Sequence, residues 1–388
     1  MTFSRRLCRS LPIVALCATI LQNRRAARRS AGRGAGRQAC HVGGPADRLA
    51  PQGLVAALLL CVLTSGCGRY ADFTLPPVAG SSPLPVFTWT VRPAPVLARG
   101  APGEWDSGDA LNPSVIVHQG LYYNFYSGYD GKSWHTGLAT SPDGLNWTRQ
   151  GKVLSPDPRS WEGDDYIAAN GSAMGTDGTF LYWYQGGRLP SIGLARSPDA
   201  RHWTKVLKPV LRPGPRGSWD ERGVADPYVI RAGAFYYMYF LGQDRARRQR
   251  LGVARSADGV SWEKLRSNPI LELGATGAFD EKGLGEPAVW ASQDRYWMLY
   301  TGRDRGEHRR IGLAWSRDGV HWERLPANTI LAGAGSWDSK VVCDPSVLQV
   351  SGQIRVWFGG GDVATPAENL HGQIGFATLE AASGNLSK

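Results

Sequence analysis

The chain has 388 residues and a formal net charge of +11, yet residues 1–48 hold ten arginines against one acid, Asp47, which puts +9 of that charge at the front. Residues 49–66 are uncharged, so everything beyond carries 11 − 9 = +2, and a near-neutral domain has no general electrostatic reason to seek nucleic acid. Of the six cysteines only Cys343 lies beyond Cys67, which excludes an intradomain disulfide framework after that point.

Residues 1–66 read as an export leader. The run 53–66, GLVAALLLCVLTSG, is apolar, short for a membrane span, and ends in small residues before Cys67. Residues 63–67, LTSGC, resemble a bacterial lipobox, although Thr64 stands where an aliphatic residue is usual. The resemblance implies lipidation of Cys67 and a protein exported to the bacterial cell envelope and anchored to the membrane by lipid. Plain secretion with a structural Cys67 is the alternative. A second apolar run, residues 11–21, follows Arg5, Arg6 and Arg9, and a translation start near residue 49 accounts for this duplication. Residues 67–86, with their Pro, Gly and Ser, are expected to be the anchor cysteine and a flexible tether.

From residue 87 onward the chain repeats itself. The phrase Ser-x-Asp-(Gly/Ala)-x-x-Trp ends at Trp147, Trp203, Trp262 and Trp322, and Gly-x-Ala precedes it from Gly137, Gly193, Gly252 and Gly312, with a fifth copy at Gly375. Each copy opens with an aromatic-acid pair, Trp105-Asp106, Trp161-Glu162, Trp219-Asp220, Phe279-Asp280 and Trp337-Asp338. Between these landmarks lie short aromatic and β-branched runs bounded by Gly and Asp, which are strand signals. Four short antiparallel strands per repeat of about 60 residues is a propeller blade. The expected fold is therefore all-β, a five-bladed β-propeller over residues 87–388. The fifth copy lacks its last strand, and residues 89–97 match that strand in other copies, so the N-terminal strand is expected to close the ring and remove an open edge. The repeated rings are expected to fill space between blades.

Such connectivity gathers the start of each first strand and each loop between second and third strands at one face. Asn112, Asn170, Asp226, Glu286 and Asp344, each followed by Pro or Gly, then form a ring of five polar side chains; turn chemistry at Asp-Pro and Glu-Pro is the competing explanation. Crowded carboxylates push one another's pKa values apart, leaving one group as acid and another ionised. That is glycosidase chemistry, in which carboxyl separations of roughly 5 Å go with retention and roughly 6.5–9.5 Å with inversion. The loops add Trp134, Gln185, Arg188, Arg245, Arg305, His308 and His371 as candidate sugar contacts, and Asp164 or Asp165 could reach in from the second copy. Arginine clusters at 245–250 and 303–310 suit an anion such as a uronate, sulfate or phosphate, or are solvated hairpin tips.

The blade count, the Ser-x-Asp-Gly-x-x-Trp hairpins and the carboxylate-Pro pairs resemble the five-bladed β-propeller glycosidase superfamily: glycoside hydrolase families 43, 32, 62 and 68, with the family 130 phosphorylases as neighbours. The resemblance implies that Asp226 tunes a pKa, that Glu286 is the general acid, and that a base or nucleophile comes from an earlier blade. There the chain has Asn170 and Asn112, so Asp344 is the substitute base or nucleophile. A non-catalytic carbohydrate-binding lipoprotein and a family 130-like phosphorylase are the alternatives to an exported glycoside hydrolase. The expected partner is a carbohydrate, with no nucleic acid, no membrane contact beyond the anchor, and a monomeric state. No cofactor is expected, and no spaced motif supports a metal, Ca²⁺ included. Cys343 has no paired His in the sequence and is expected to be a buried structural thiol.

Overall fold

The computed structural model describes residues 70–326 and 329–382, so the leader and Cys67 lie outside the described residues. All regular structure there is β, apart from one residue in a 3₁₀ turn, and no helix is long and apolar enough to cross a membrane.

Two short strands come first, β1 (Tyr70–Ala71) and β2 (Val86–Val91). Four antiparallel groups follow: β3 (Asp109–His118) to β6, with β4 (Leu121–Tyr129), β5 (Trp134–Ser141) and β6 (Thr148–Leu154); then β7 (Ala168–Thr176), β8 (Thr179–Gly186), β9 (Ser191–Ser197) and β10 (Thr204–Lys205). The third holds β11 (Gly223–Ala232), β12 (Phe235–Gln243), β13 (Gln249–Ser256) and β14 (Glu263–Leu265), and the fourth β15 (Gly283–Ser292), β16 (Arg295–Arg303), β17 (Arg309–Ser316) and β18 (Glu323–Arg324). A last group, β19 (Val341–Val350), β20 (Gln353–Gly361) and β21 (Gln373–Ala382), takes β2 as its fourth strand, with Trp89 opposite Leu379. Second strands such as RYWMLYTGR in β16 are buried along almost their whole length, because their two faces meet neighbouring sheets.

The repeated sequence phrases are packing devices. An added Cβ at Gly128 or Gly137 would fall 2.2 Å from the Trp105 ring, and one at Gly242 2.2 Å from Trp219. The glycines of the second and third strands thus make a flat seat on which the opening aromatic of the same group lies. The acid beside that aromatic ties strands together: Tyr126 Oη donates to Asp106 at 2.8 Å and Tyr184 Oη to Glu162 at 2.9 Å, with Lys205 on Glu162 at 2.6 Å. In the hairpins, Asp143 Oδ1 accepts the Leu145 and Asn146 N–H groups at 2.8 Å, a local turn that Asp258 and Asp318 reproduce.

One expectation needs correction. The part of the tether that is described, residues 70–85, is a bound strap. Its β1 pairs in parallel with β14, Leu75 is 2% exposed within the core between the third and fourth groups, and the Phe73 ring lies tilted against Tyr237 with centroids 6.0 Å apart. Leu75 N–H donates to the Asp318 carbonyl at 2.8 Å, Tyr296 Oη to the Pro76 carbonyl at 2.5 Å, and Ser82 N–H to Asp294 at 2.8 Å. Composition rich in Pro and Gly suggested freedom, but the few apolar residues within it find a cleft between sheets.

Candidate active site

Each first strand breaks register at the same place, between Leu111 and Ser114, Ala169 and Ser172, Ala225 and Tyr228, Gly285 and Ala288, and Cys343 and Ser346. The residue within each bulge is left-handed: Asn112 (φ 49°), Asn170 (48°), Asp226 (47°), Glu286 (48°) and Asp344 (53°). Non-glycine residues adopt this region at a cost, Asn and Asp most readily, and strain of this kind concentrates at functional sites. The bulge turns the backbone N–H toward the neighbouring group. Asn112 N–H donates to Asp344 Oδ2 at 3.2 Å, Asp344 N–H to Glu286 Oε2 at 3.3 Å and to Thr301 Oγ1 at 3.1 Å, and Asn170 N–H to Ser127 Oγ at 2.9 Å. All five ring residues line one small hollow and also the floor of a larger cavity of about 220 Å³.

Trp134, Gln185, Gln249, Arg309, Tyr166 and Glu368 stand around that cavity. Trp134 is stacked on Tyr129 with ring centroids 4.9 Å apart, and Tyr166 Oη donates to Glu368 at 3.1 Å, joining loops of the second and fifth groups across the rim. Arg309 Nη2 donates to the Thr365 and Pro366 carbonyls at 3.2 and 3.0 Å, holding the fifth group's loop over the site.

The electrostatics separate the carboxyls. Burial raises Asp226 to about 8, the charge of Glu286 adds to the effect, and Arg309 and an Asn170 hydrogen bond oppose it. Burial likewise raises Asp344 well above the ordinary carboxylate range, with Glu286 next, against the Cys343 hydrogen bond and Arg309. Burial works against the charge of Arg309, but Cys343, Glu286 and Asp344 outweigh it and raise its pKa. The thiol of Cys343, fully buried, donates to Asp344 Oδ2 at 3.1 Å. Glu286, Cys343 and Asp344 place ligand atoms within 4.8 Å of one another. A thiol beside a buried guanidinium does not make a site for a hard cation such as Ca²⁺, which takes about six to eight oxygens.

The structure therefore brings together Asn112, Asn170, Asp226, Glu286, Asp344, Trp134 and Gln185. It leaves other expected contacts outside the cavity lining. Asp165 is ion-paired to Lys132 with its side chain 56% exposed, and Asp164 accepts the Tyr166 N–H at 3.2 Å. Arg305 pairs with Glu281 at 3.2 Å, His308 with Asp304 at 3.4 Å and His371 with Asp362 at 2.8 Å, while Arg188 and Arg245 are exposed on the rim. Nearby opposite charges hold Asp165, Arg305, His308 and His371 away from the cavity lining. Sequence reasoning missed Arg309, Gln249 and Tyr166 as individual residues. A positional signal existed for the first two: the opening residue of a third strand meets the next first strand, as Gln249 meets Gly283, Arg309 meets Val341, and Trp134 meets Ile167.

Residues 112–272 match the glycosyl hydrolases family 32 N-terminal domain, a match that begins at the first ring residue. An uncharacterized protein of Mycobacterium tuberculosis (strain CDC 1551 / Oshkosh) is 33% identical over 238 residues, 57% of this chain and 73% of that protein. A β-1,2-mannobiose phosphorylase of Thermoanaerobacter sp. (strain X514) is 26% identical over 134 residues, 30% of this chain and 42% of that enzyme. Among solved structures, one from work describing family 130 mannoside phosphorylases and glycoside hydrolases that target β-1,2 mannosidic linkages in Candida mannan superposes with a TM-score of 0.59 at 16% identity, over 79% of this chain and 96% of that one. The partial match to the family 32 domain and the fold shared with this solved structure agree with the resemblance to β-propeller glycosidases read from the sequence.

Proposed function

We propose that this chain is an exported glycoside hydrolase, a five-bladed propeller closed through β2, that cleaves a poly- or oligosaccharide with Asp226, Glu286 and Asp344. The observation that carries the reading is the gathering of three carboxyls in a single cavity, where burial first and the charge of Glu286 second raise Asp226 to about 8 against the opposing charge of Arg309. Glycosidic cleavage needs one carboxyl that keeps its proton to give to the leaving oxygen and one that acts as base or nucleophile. The raised pKa supports Asp226 as the donor. Glu286, whose charge raises both aspartates and which lies near Arg309, then acts as the base or nucleophile, the reverse of the role that resemblance implied for it. Asp344, held by Cys343 and by its own N–H on Glu286, positions Glu286. Asn112 and Asn170, which accept no proton as carboxylates do, are hydroxyl contacts.

The cavity, about 220 Å³, is smaller than the roughly 300–1,000 Å³ of drug-sized sites and supports binding of one terminal sugar rather than an extended chain. The apolar run before Cys67 supports export with a lipid anchor. Release of reducing sugar from a glycan panel, lost in both Glu286→Gln and Asp226→Asn, is the test; full activity in either variant rejects the assignment. The likeness to a phosphorylase favours one second reading, phosphorolysis, which strict dependence of turnover on inorganic phosphate would establish.

A further inference from the structure

The arginines around the cavity fall into two sets. Arg248 and Arg250 are held by Asp244 at 2.7 and 3.2 Å, Arg303 by Glu307 at 3.1 Å, Arg305 by Glu281, Arg310 by Asp304 at 3.6 Å, and Arg309 by loop carbonyls. The clusters that suggested an anion site in the sequence are thus largely neutralised by their own neighbours. Arg188, Arg222 and Arg245 differ, as does Arg247 at its hairpin tip: all are exposed, and none has a side-chain ion pair or hydrogen bond among the described residues.

The first three stand on loops tied to one another. Val224 N–H donates to the Pro190 carbonyl at 3.0 Å, linking the loop of Arg188 to that of Arg222, and Arg222 N–H donates to the Gln243 carbonyl at 2.9 Å, linking it to the loop of Arg245. Arg222 itself lines the cavity, Arg188 is two residues from the lining Pro190, and Arg245, two residues from the lining Gln243, lines a separate hollow with Trp219, Glu221 and Asp244. Next to Arg188, Leu189 is 54% exposed, an apolar face on the same rim. The opposite side is occupied by the loop that Arg309 holds and by the Tyr166–Glu368 contact. A substrate whose end sits in the cavity therefore leaves over the side that carries unpaired guanidinium groups. Guanidinium groups without internal acids are suited to bidentate contact with carboxylate, sulfate or phosphate oxygens.

We propose that Arg222, with Arg188 and Arg245, forms a subsite for an anionic group on the sugar that follows the one in the cavity, so that the substrate class is an acidic glycan. The proposal rests on the carbohydrate reading of the same cavity. The test is calorimetric titration of the Glu286→Gln protein, and of Glu286→Gln carrying Arg188→Ala and Arg222→Ala, with hexuronic acid di- and trisaccharides, their methyl esters, neutral hexose counterparts, and inorganic phosphate and sulfate alone. The free acids should bind about tenfold or more tightly than esters or neutral sugars, in a manner weakened by salt, and the arginine substitutions should remove that preference. Esters or neutral sugars bound as tightly as the acids, a preference that survives both substitutions, or phosphate or sulfate alone saturating the protein with no preference among sugars, would overturn it. Binding of neutral sugars only sinks the anionic subsite and leaves the glycosidase reading standing, whereas a protein that binds no sugar in any form fails both.

Discussion

Glu286 Oε2 accepts the backbone N–H of Asp344 at 3.3 Å, so the carboxyl proposed as base or nucleophile in one group also holds the strained backbone of the next. A glutamine keeps an acceptor oxygen at that place but cannot act as base or nucleophile. Glu286→Gln should therefore lower turnover at least ~100-fold, the scale of acid–base and nucleophilic steps, while the melting temperature shifts by no more than a few degrees. Initial rates and calorimetry on the same preparation check both halves.

Asp226 links activity to pH in a definite direction. A donor raised to about 8 must be protonated to work, so activity should fall as pH rises through that value. Stability follows the same sign. An unfolded chain loses this proton near pH 3.9, whereas the folded protein keeps it until about 8. Its contribution is complete below pH 4 and is lost steadily between those two values. Asp226→Asn cannot titrate, so it should gain stability relative to the parent between pH 4 and 8, by on the order of 1–3 kcal/mol once solvent in the funnel is allowed for. Denaturant midpoints at pH 4.5 and 8 measure this, and an equal difference at both would refute the linkage.

Arg309 offsets the carboxyl charge and carries the overhanging loop. Arg309→Met removes the buried guanidinium beside Glu286 and releases the loop it carries, so it should destabilise the fold by about 3 kcal/mol or more at neutral pH. Urea denaturation of parent and variant decides the matter.

The strap is tested by Leu75→Ala. A leucine that is 2% exposed in a core cluster should cost about 2–4 kcal/mol on truncation and increase amide exchange at Tyr296, whose side chain the same segment binds. A free tether would show neither.

Much of the fold was legible in the chain because each group is short and local. Trp105 sits on Gly128 and Gly137, and Ser141, Asp143 and Gly144 close a hairpin within four residues, so period and spacing carried the information. The ring residues were legible for the same reason, since all five occur at one repeated position. The partners of side chains were not. Whether Arg248 meets Asp244 while Arg245 meets no carboxylate depends on loop geometry that no repeat encodes, and Tyr166 reaches Glu368 across 202 positions.

By itself the sequence determined an all-β repeat, the five positions that would face one another, and an apolar run ahead of Cys67. Tertiary structure alone decided the electrostatics of the ring: burial, and after it the charge of Glu286, raises Asp226 and Asp344 while Arg309 opposes both, and these are effects of neighbouring strands that meet only when the sheets are assembled.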